Sequence, residues 1–139
     1  MFKKALILFC AFSITQTLSF SQEKVIKVTI SSPTYAEAIK LSKESNKKIF
    51  LLFYGEFCGP CNSIKEELMK PEVLEVLDSY VVCYVDLVEE KELRQIYKVK
   101  SVPTFFIIDK DEKIIKKDSG YKSSNYLINW LTKSVLTRD

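Results

Sequence analysis

Residues 55–61 read GEFCGPC, and they directly follow the apolar run IFLLFY of residues 49–54. The run lacks the alternation of a half-exposed strand, which indicates a central strand that is covered on both faces. A pair of cysteines that follows such a strand and opens a helix lies among unpaired backbone N–H groups. Because those groups and the helix dipole favour an anion, we predict that Cys58 carries a thiolate and attacks disulfides.

The second cysteine, Cys61, lies nearly one helical turn further along, so its sulfur can meet that of Cys58 with less exposure to solvent. We therefore predict that Cys61 resolves the mixed disulfide that Cys58 forms. A structural staple is disfavoured because a loop this small constrains little chain entropy. A metal site is disfavoured because structural zinc usually needs four Cys or His ligands, and the chain has no histidine. Cys83 lies in an apolar run and is predicted to be a buried core thiol.

The first 21 residues have the regions of a secretory signal peptide, namely two lysines, an apolar run and a small-residue end at Ser21. The apolar run of residues 5–14 is shorter than the ~20 residues that a membrane span needs, which disfavours an uncleaved anchor. Cys10 follows the bulky Phe9, where a lipoprotein signal has a small residue, so we interpret Cys10 as part of the signal. We predict that residues 1–21 are a signal peptide and that the protein is exported to the periplasm.

Residues 22–139 have the length of one domain, and no repeat or linker divides them. The 21 Lys and Arg residues and the 18 Asp and Glu residues are interspersed, with a formal net charge of +3 for the whole chain. This balance predicts a solvated surface and no nucleic-acid partner. Export would place the cysteines in an oxidising compartment, where a disulfide persists.

The apolar periodicities predict an α/β domain with the element order βαβαβαββα. An edge strand at Val25–Ile30 precedes a first helix that has capping-box spacing between Thr34 and Glu37 and an end at Asn46. Strands separated by helices are predicted to run parallel, and the last two strands, joined by residues 109–112, to form an antiparallel hairpin. The result is a mixed β-sheet flanked by helices. The residues predicted to face inward from the helices are Ala38, Ile39, Leu41, Ile64, Leu68, Met69, Leu93, Ile96, Tyr97, Leu127, Trp130 and Leu131.

Two stretches, FYGEFCGPC (53–61) and VKSVPTFFI (99–107), resemble the active-site motif and the later Val-Pro-Thr segment of the thioredoxin-fold family. With the element order, the resemblance extends over nearly all of residues 22–139, and the long first helix is similar to that of exported, stand-alone members. The resemblance implies a thioredoxin fold, thiol–disulfide oxidoreductase activity with Cys58 and Cys61 as the catalytic residues, and no cofactor.

The resemblance also implies that a cis peptide joins Val102 to Pro103 and that this turn faces the cysteines. In the family, the backbone of the residue before the proline pairs with an extended substrate. Val102, Pro103 and Phe57 are therefore the implied substrate-binding residues. Without the resemblance, a trans proline that opens the strand TFFII would be the ordinary interpretation, because cis bonds are a minority even before proline.

The chain departs from the family pattern near the cysteines. Tyr54 and Phe57 stand where tryptophans are typical. Each of these side chains has two possible roles, packing beneath the loop or contact with the substrate. Leu52 occupies the strand position that usually carries a buried aspartate, and the lysine that usually accompanies it has no counterpart in residues 80–87. Losing both charges together is physically coherent, because one alone would be buried without a partner. Glu56 is then a candidate proton acceptor, with a solvent-facing side chain as the alternative.

Three functions are compatible with these residues. The first is an exported thiol–disulfide oxidoreductase that reduces protein disulfides, because the Gly59-Pro60 dipeptide resembles the reducing branch of the family, whose oxidants typically carry a histidine there. This first function implies client proteins that contain disulfides or thiols and a membrane thiol-transfer protein as electron donor. The expected oligomeric state is a monomer. The second is a disulfide-forming oxidant that uses the same couple, and the third is a thioredoxin-like binding or chaperone module without turnover.

Overall fold

The computed structural model describes residues 32–136. The predicted signal peptide of residues 1–21 and the predicted strand at Val25–Ile30 lie outside the described residues. None of the helices in the described range combines the length and the apolar character that a membrane-spanning helix needs. The elements of this range, in chain order, are α1 (Tyr35–Ser45), β1 (Lys48–Tyr54), α2 (Gly59–Leu68), α3 (Pro71–Leu77), β2 (Tyr80–Asp86), α4 (Lys91–Ile96), β3 (Thr104–Ile108), β4 (Ile114–Ser119) and α5 (Ser124–Val135).

Helix α1 begins and ends where its sequence predicts. The Glu37 amide donates a hydrogen bond to the Thr34 hydroxyl at 3.4 Å, and the Thr34 amide donates one to the Glu37 carboxylate at 2.8 Å. This reciprocal pair is the predicted capping box, which satisfies backbone donors that a helix start leaves unpaired. At the other end, Asn46 adopts a left-handed conformation with a φ of 54°, and the helix ends there.

The sheet has the strand order β2-β1-β3-β4, so β1 lies in its interior. β1 is parallel to β2 and antiparallel to β3, and β3 forms the predicted antiparallel hairpin with β4. The prediction that strands separated by helices run parallel is therefore wrong for β3. The six residues of α4 rise only about 9 Å, whereas the seven residues of β2 extend over about 23 Å. A helix this short does not return along β2, and β3 begins at the end of the sheet where β2 ends.

Strand β1 is buried on both faces, as its unbroken apolar run predicts. Phe50 and Leu52 join a cluster with α2, α3 and α5, whereas Ile49, Leu51 and Phe53 join a cluster with α1 and α4. The residues predicted to face inward from the last helix are also buried in the first cluster, namely Leu127, Trp130 and Leu131. The loop that follows β1 therefore leaves from the centre of the domain.

Three residues predicted to face inward from the helices are exposed, so the prediction is wrong for them. They are Leu41 at 44%, Met69 at 43% and Ile96 at 69%. Leu68 and Tyr97, which are predicted to face inward beside Met69 and Ile96, are buried, and so is Ser42 next to Leu41. One step along a helix turns the side chain by about 100°, so a residue next to a buried one can face solvent. Ser42 can be buried because its hydroxyl donates a hydrogen bond to the Lys47 carbonyl.

Candidate active site

The cysteine pair lies where β1 ends and α2 begins. β1 ends at Tyr54, α2 starts at Gly59, and Cys58 immediately precedes the first helical residue. The Cys61 amide donates a hydrogen bond to Cys58 Sγ at 3.2 Å. Pro60 occupies the first turn of α2, where its missing N–H leaves no helical bond unmade. The sulfur of Cys58 therefore lies at the positive end of the helix, where a thiolate is stabilised.

A disulfide joins Cys58 to Cys61, with an S–S distance of 2.11 Å. Cys61 is 0% exposed, whereas Cys58 is only half-buried. A sulfur of another protein can therefore reach Cys58 Sγ more readily than the sulfur of Cys61. This difference in exposure agrees with the predicted division into an attacking and a resolving cysteine, and the two catalytic roles stay predictions.

A second loop borders the disulfide. The Val102–Pro103 peptide bond is cis, so this implication of the resemblance is confirmed. The Val102 carbonyl oxygen lies 3.7 Å from Cys58 Sγ, and a Cβ placed on Gly55 would lie 3.6 Å from Val102 Cγ2. The Val102 amide makes no hydrogen bond with any of residues 32–136, so it is available to a bound peptide. The structure thus brings Val102 and Pro103 to the cysteines, and their part in substrate binding stays a prediction.

Phe57 and Glu56, which precede Cys58, lie on the surface. Phe57 is 98% exposed, so it does not pack beneath the loop, and contact with a partner is the interpretation that remains for it. Glu56 is also exposed, and its side chain makes no hydrogen bond or ion pair within the described part of the chain. The exposure of Glu56 agrees with the alternative interpretation, a side chain that faces solvent. The use of Glu56 as a proton acceptor stays a prediction.

The side chain beneath the site is apolar. Leu52 is 0% exposed and belongs to the cluster to which α2 contributes Ile64 and Leu68. The neighbouring strand β2 contains no lysine. Within residues 32–136, this face of the sheet therefore offers Cys61 no buried carboxylate to take its proton.

One charged residue at this site was not predicted from the sequence. Lys65 follows Cys61 by four residues on α2, and its Nζ lies 3.4 Å from the centre of the Tyr54 ring. Burial lowers the pKa of Lys65, and the Asp86 carboxylate opposes that shift. Burial raises the pKa of the Tyr54 phenol, and Asp86 and Glu89 add to the rise. The i, i+4 spacing from Cys61 is the signal that could have identified Lys65, because residues so spaced share one helix face.

The remaining cysteine of the described range, Cys83, is a core thiol as predicted. It is 0% exposed, and its thiol donates a hydrogen bond to the Pro33 carbonyl at 3.4 Å. Burial raises the pKa of Cys83 to about 12. This thiol is therefore protonated at neutral pH and is not a nucleophile there. Within residues 32–136, no group of three or more His, Cys, Asp or Glu side chains could hold a metal ion.

The arrangement is chemically competent for thiol–disulfide exchange. A half-buried sulfur at a helix start can form a mixed disulfide with another protein, and a shielded second thiol can displace that protein again. The fold and the site together define the class of thioredoxin-fold proteins that carry a CxxC dithiol/disulfide couple.

Comparison with known proteins assigns the family. The family model for thioredoxin matches residues 26–133. Thioredoxin-2 from Pyricularia oryzae is 30% identical over 105 residues, which are 73% of this chain and 58% of that protein. The chain belongs to the thioredoxin family, and the predicted fold is confirmed.

The relatives differ from this chain in length. Protein disulfide isomerase-like 1-4 from Arabidopsis thaliana is 29% identical over 93 residues, which are 66% of this chain and 15% of that protein. The chain thus spans less than two thirds of the length of either relative. Among solved structures, a thioredoxin from Thermus thermophilus has a TM-score of 0.68 at 24% identity, with 74% of this chain and 85% of that chain covered. That structure shares the fold.

Proposed function

We propose that this protein is an exported thiol–disulfide oxidoreductase that reduces disulfides of client proteins. One observation carries the proposal: the Cys58–Cys61 disulfide spans the start of α2 with Cys58 half-buried and Cys61 shielded. A pair that closes so small a loop adds little to stability. Its position at a helix start instead suits a disulfide that is reduced and formed again during turnover.

The proposed reaction transfers two electrons to the client. In the reduced protein, the Cys58 thiolate attacks one sulfur of the client disulfide, and the other client sulfur leaves as a thiolate that takes up a proton. Cys61 then loses its proton, and its thiolate attacks Cys58 Sγ. The Cys58–Cys61 bond forms, the mixed disulfide breaks, and the second client sulfur leaves. The client is reduced, and the protein is oxidised to the disulfide.

The proposed client lies in an extended conformation along the loop of Val102. The Val102 amide, which no group of residues 32–136 engages, and the Val102 carbonyl, 3.7 Å from Cys58 Sγ, can pair with client backbone beside the sulfur under attack. The exposed ring of Phe57 adds apolar contact area at the same edge. The backbone groups and apolar side chains that these residues would contact occur in many peptides. The loop therefore suits a protein that acts on several clients.

The proposed direction is reduction, because Gly59 and Pro60 place neither a charge nor an imidazole between the cysteines. The runner-up, a disulfide-forming oxidant, would use the same atoms in reverse. The reduction potential of the Cys58–Cys61 couple separates the two. A value near that of thioredoxin, about −270 mV, supports a reductant, and a value near that of a strong oxidant, about −120 mV, contradicts it.

Export and the electron donor belong to the same proposal. A reductant in an oxidising compartment has to be re-reduced, and a membrane protein that transfers thiol electrons is the proposed donor. The pattern of residues 1–21 supports export. N-terminal sequencing of the protein purified from its own cells tests this part, with a mature start near Gln22 expected and an intact Met1 as the contrary result.

Trapping tests the activity itself. A Cys61→Ser variant keeps the attacking thiol but lacks the resolving one, so we expect it to accumulate mixed disulfides with clients and with a synthetic disulfide peptide. A Cys58→Ser variant is the matched control, and it should trap far less because Cys61 is shielded. A Cys61→Ser variant that binds the peptide without forming a covalent adduct would point to the third candidate, a binding or chaperone module.

A further inference from the structure

Lys65 and the resolving cysteine lie on one face of α2. They are separated by four residues, and such pairs have Cβ atoms about 5–6 Å apart on a helix surface. Cys61 begins the buried stripe that Ile64 and Leu68 continue. Lys65 is half-buried at the edge of that stripe, one turn beyond Cys61. The charge nearest to Cys61 along α2 is therefore a positive one.

The ammonium of Lys65 has a defined place. Its Nζ lies 3.4 Å from the centre of the Tyr54 ring, and Tyr54 is the last residue of β1, directly before the cysteine loop. A cation over an aromatic face is attracted by the ring quadrupole, and more strongly when water is partly excluded. Tyr54 therefore holds the Lys65 side chain against the base of the loop instead of leaving it extended into solvent.

The groups around Lys65 leave its charge without a direct counterion. Within residues 32–136, Lys65 makes no ion pair of 4.0 Å or less. The acids that act on this site are Asp86, at the end of β2, and Glu89, in the loop that follows. Asp86 accepts hydrogen bonds from the backbone amides of Val88 and Glu89, so its carboxylate is engaged there. Asp86 keeps its negative charge and acts on Lys65 from a distance, but no carboxylate of residues 32–136 pairs directly with Nζ, so the ammonium of Lys65 is only partly offset beside α2.

We propose that Lys65, held over Tyr54, supplies the positive charge that favours the Cys61 thiolate in the step that releases the product. This inference rests on the proposed function and assigns Lys65 a positioning role through Cys61. In that step Cys61 gives its proton to solvent, and its thiolate displaces the client thiolate from Cys58. Leu52 offers no base for the same proton, so a charge that stabilises the thiolate takes the place of a base that removes the proton.

The size of the effect follows from Coulomb's law. For an assumed separation of about 8 Å between two such charges, somewhat beyond the Cβ spacing of an i, i+4 pair, and an effective dielectric of about 40, Coulomb's law gives a thiol pKa lower by about 0.8 unit. Removing the charge should therefore lower the thiolate fraction of Cys61 about sixfold at pH 7 and slow the release of the mixed disulfide. The difference should vanish at a pH where Cys61 is fully ionised in both proteins.

The first test measures Cys61 without any turnover. In a Cys58→Ser background, the ultraviolet absorbance of the thiolate is followed against pH. Cys83 does not interfere, because its pKa is about 12. We expect Lys65→Met to raise the titration midpoint of Cys61 by about 0.8 unit, and Lys65→Arg to keep the wild-type midpoint. An unchanged midpoint in Lys65→Met overturns the proposal, and so does a Lys65→Arg variant that behaves like Lys65→Met.

Lys116 offers a matched control. Lys116 is also half-buried, and it lies on β4, an edge strand of the sheet that does not pair with β1. Its Nζ lies 5.1 Å from the centre of the Trp130 ring. Lys116→Met removes the same charge and a cation–π contact, together with the hydrogen bond that Lys116 Nζ donates to the Trp130 carbonyl, and it should leave the Cys61 midpoint unchanged. A Tyr54→Leu variant keeps the charge but removes its support, and it should raise the midpoint less than Lys65→Met. It also serves as the test if Lys65→Met does not fold.

The second test follows the decay of a preformed mixed disulfide at Cys58 by stopped flow from pH 6 to 9. We expect Lys65→Met to shift the rate profile to higher pH and Lys65→Arg to restore it. Equal decay rates in wild type and Lys65→Met at pH 7 contradict the inference. A shifted Cys61 titration in a protein that forms no mixed disulfide would support the coupling between Lys65 and Cys61 but refute the proposed function, and with it the role of Lys65 in product release.

Discussion

Replacing Leu52 by aspartate would place a buried acid where residues 32–136 have none, and the structure sets the cost. Leu52 is 0% exposed in the cluster that includes Ile64, Leu68 and Phe105. Losing a buried leucine costs about 2–3 kcal/mol, and burying a carboxyl group without a partner costs about 1–3 kcal/mol more. We expect Leu52→Asp to lower the free energy of unfolding by about 3–6 kcal/mol. A domain of ordinary stability, about 5–15 kcal/mol, would survive this loss.

The loss should depend on pH. Burial disfavours the charged carboxylate, so the pKa of the introduced carboxyl group rises on folding. At low pH, where the group is neutral in both states, its ionisation adds nothing to the loss from packing and from burial of a polar group. The penalty grows as the pH rises from the unfolded-state value, ~3.9, through the raised folded value. Urea unfolding at several pH values should therefore show that the gap between wild type and Leu52→Asp widens toward neutral pH.

The gain should be kinetic. A thiol with an ordinary pKa of ~8.5 is only ~3% ionised at pH 7, so a base that fully deprotonated Cys61 would accelerate its attack by at most about 30-fold. We expect Leu52→Asp to release a preformed mixed disulfide from Cys58 about tenfold faster than wild type at pH 7. The wild-type rate should rise with pH, because wild-type Cys61 has no buried base beside it within residues 32–136 and gives its proton to solvent.

Leu52→Asn is the matched control, because it has the same shape and the same lost packing without a base. Stopped-flow decay of the mixed disulfide should be faster in Leu52→Asp than in Leu52→Asn. Equal rates in the two variants would refute the reasoning. A wild-type rate that is already fast and constant from pH 6 to 9 would do so as well, since it would reveal a proton acceptor other than the one restored here.

Three further outcomes are expected. Limiting iodoacetamide should modify the reduced protein first at Cys58, and earlier reaction at Cys61 or Cys83 would reverse the assignment of the attacking thiol. Cys83→Ala should reduce a model disulfide at the wild-type rate and lose ~1–2 kcal/mol of stability to the cavity, whereas a folded but inactive variant would mean a third redox thiol. Thr34→Ala should cost about 1 kcal/mol in urea unfolding at neutral pH. Because hydrogen bonds from the Thr34 amide and hydroxyl lower the pKa of Glu37, the cost should shrink as the pH falls through that lowered value, and a cost that grows there would contradict the capping role.

Local patterns in the sequence were sufficient for the helices and strands within residues 32–136 and for the place of the cysteine pair. The unbroken apolar run of β1 predicted a strand buried on both faces, and Thr34, Glu37 and Asn46 predicted the limits of α1. Cys58 and Cys61 could be placed at a helix start because backbone donors are unpaired there in any helix. These features depend on neighbours a few residues apart, so their physics is visible in the sequence. Motif and element order together identified the family.

Only the tertiary structure decided how distant segments meet. The direction of β3 depends on how the short helix α4 crosses the end of the sheet, and no periodicity within either element records that path. The exposure of Phe57 and the placement of Lys65 over Tyr54 depend on where a loop and a helix face settle against each other. Such contacts join residues that are far apart or that lie on different elements, and their energies are set by packing of the whole domain. The sequence therefore determined where the cysteine pair lies, and the folded structure decided which charges and surfaces surround it.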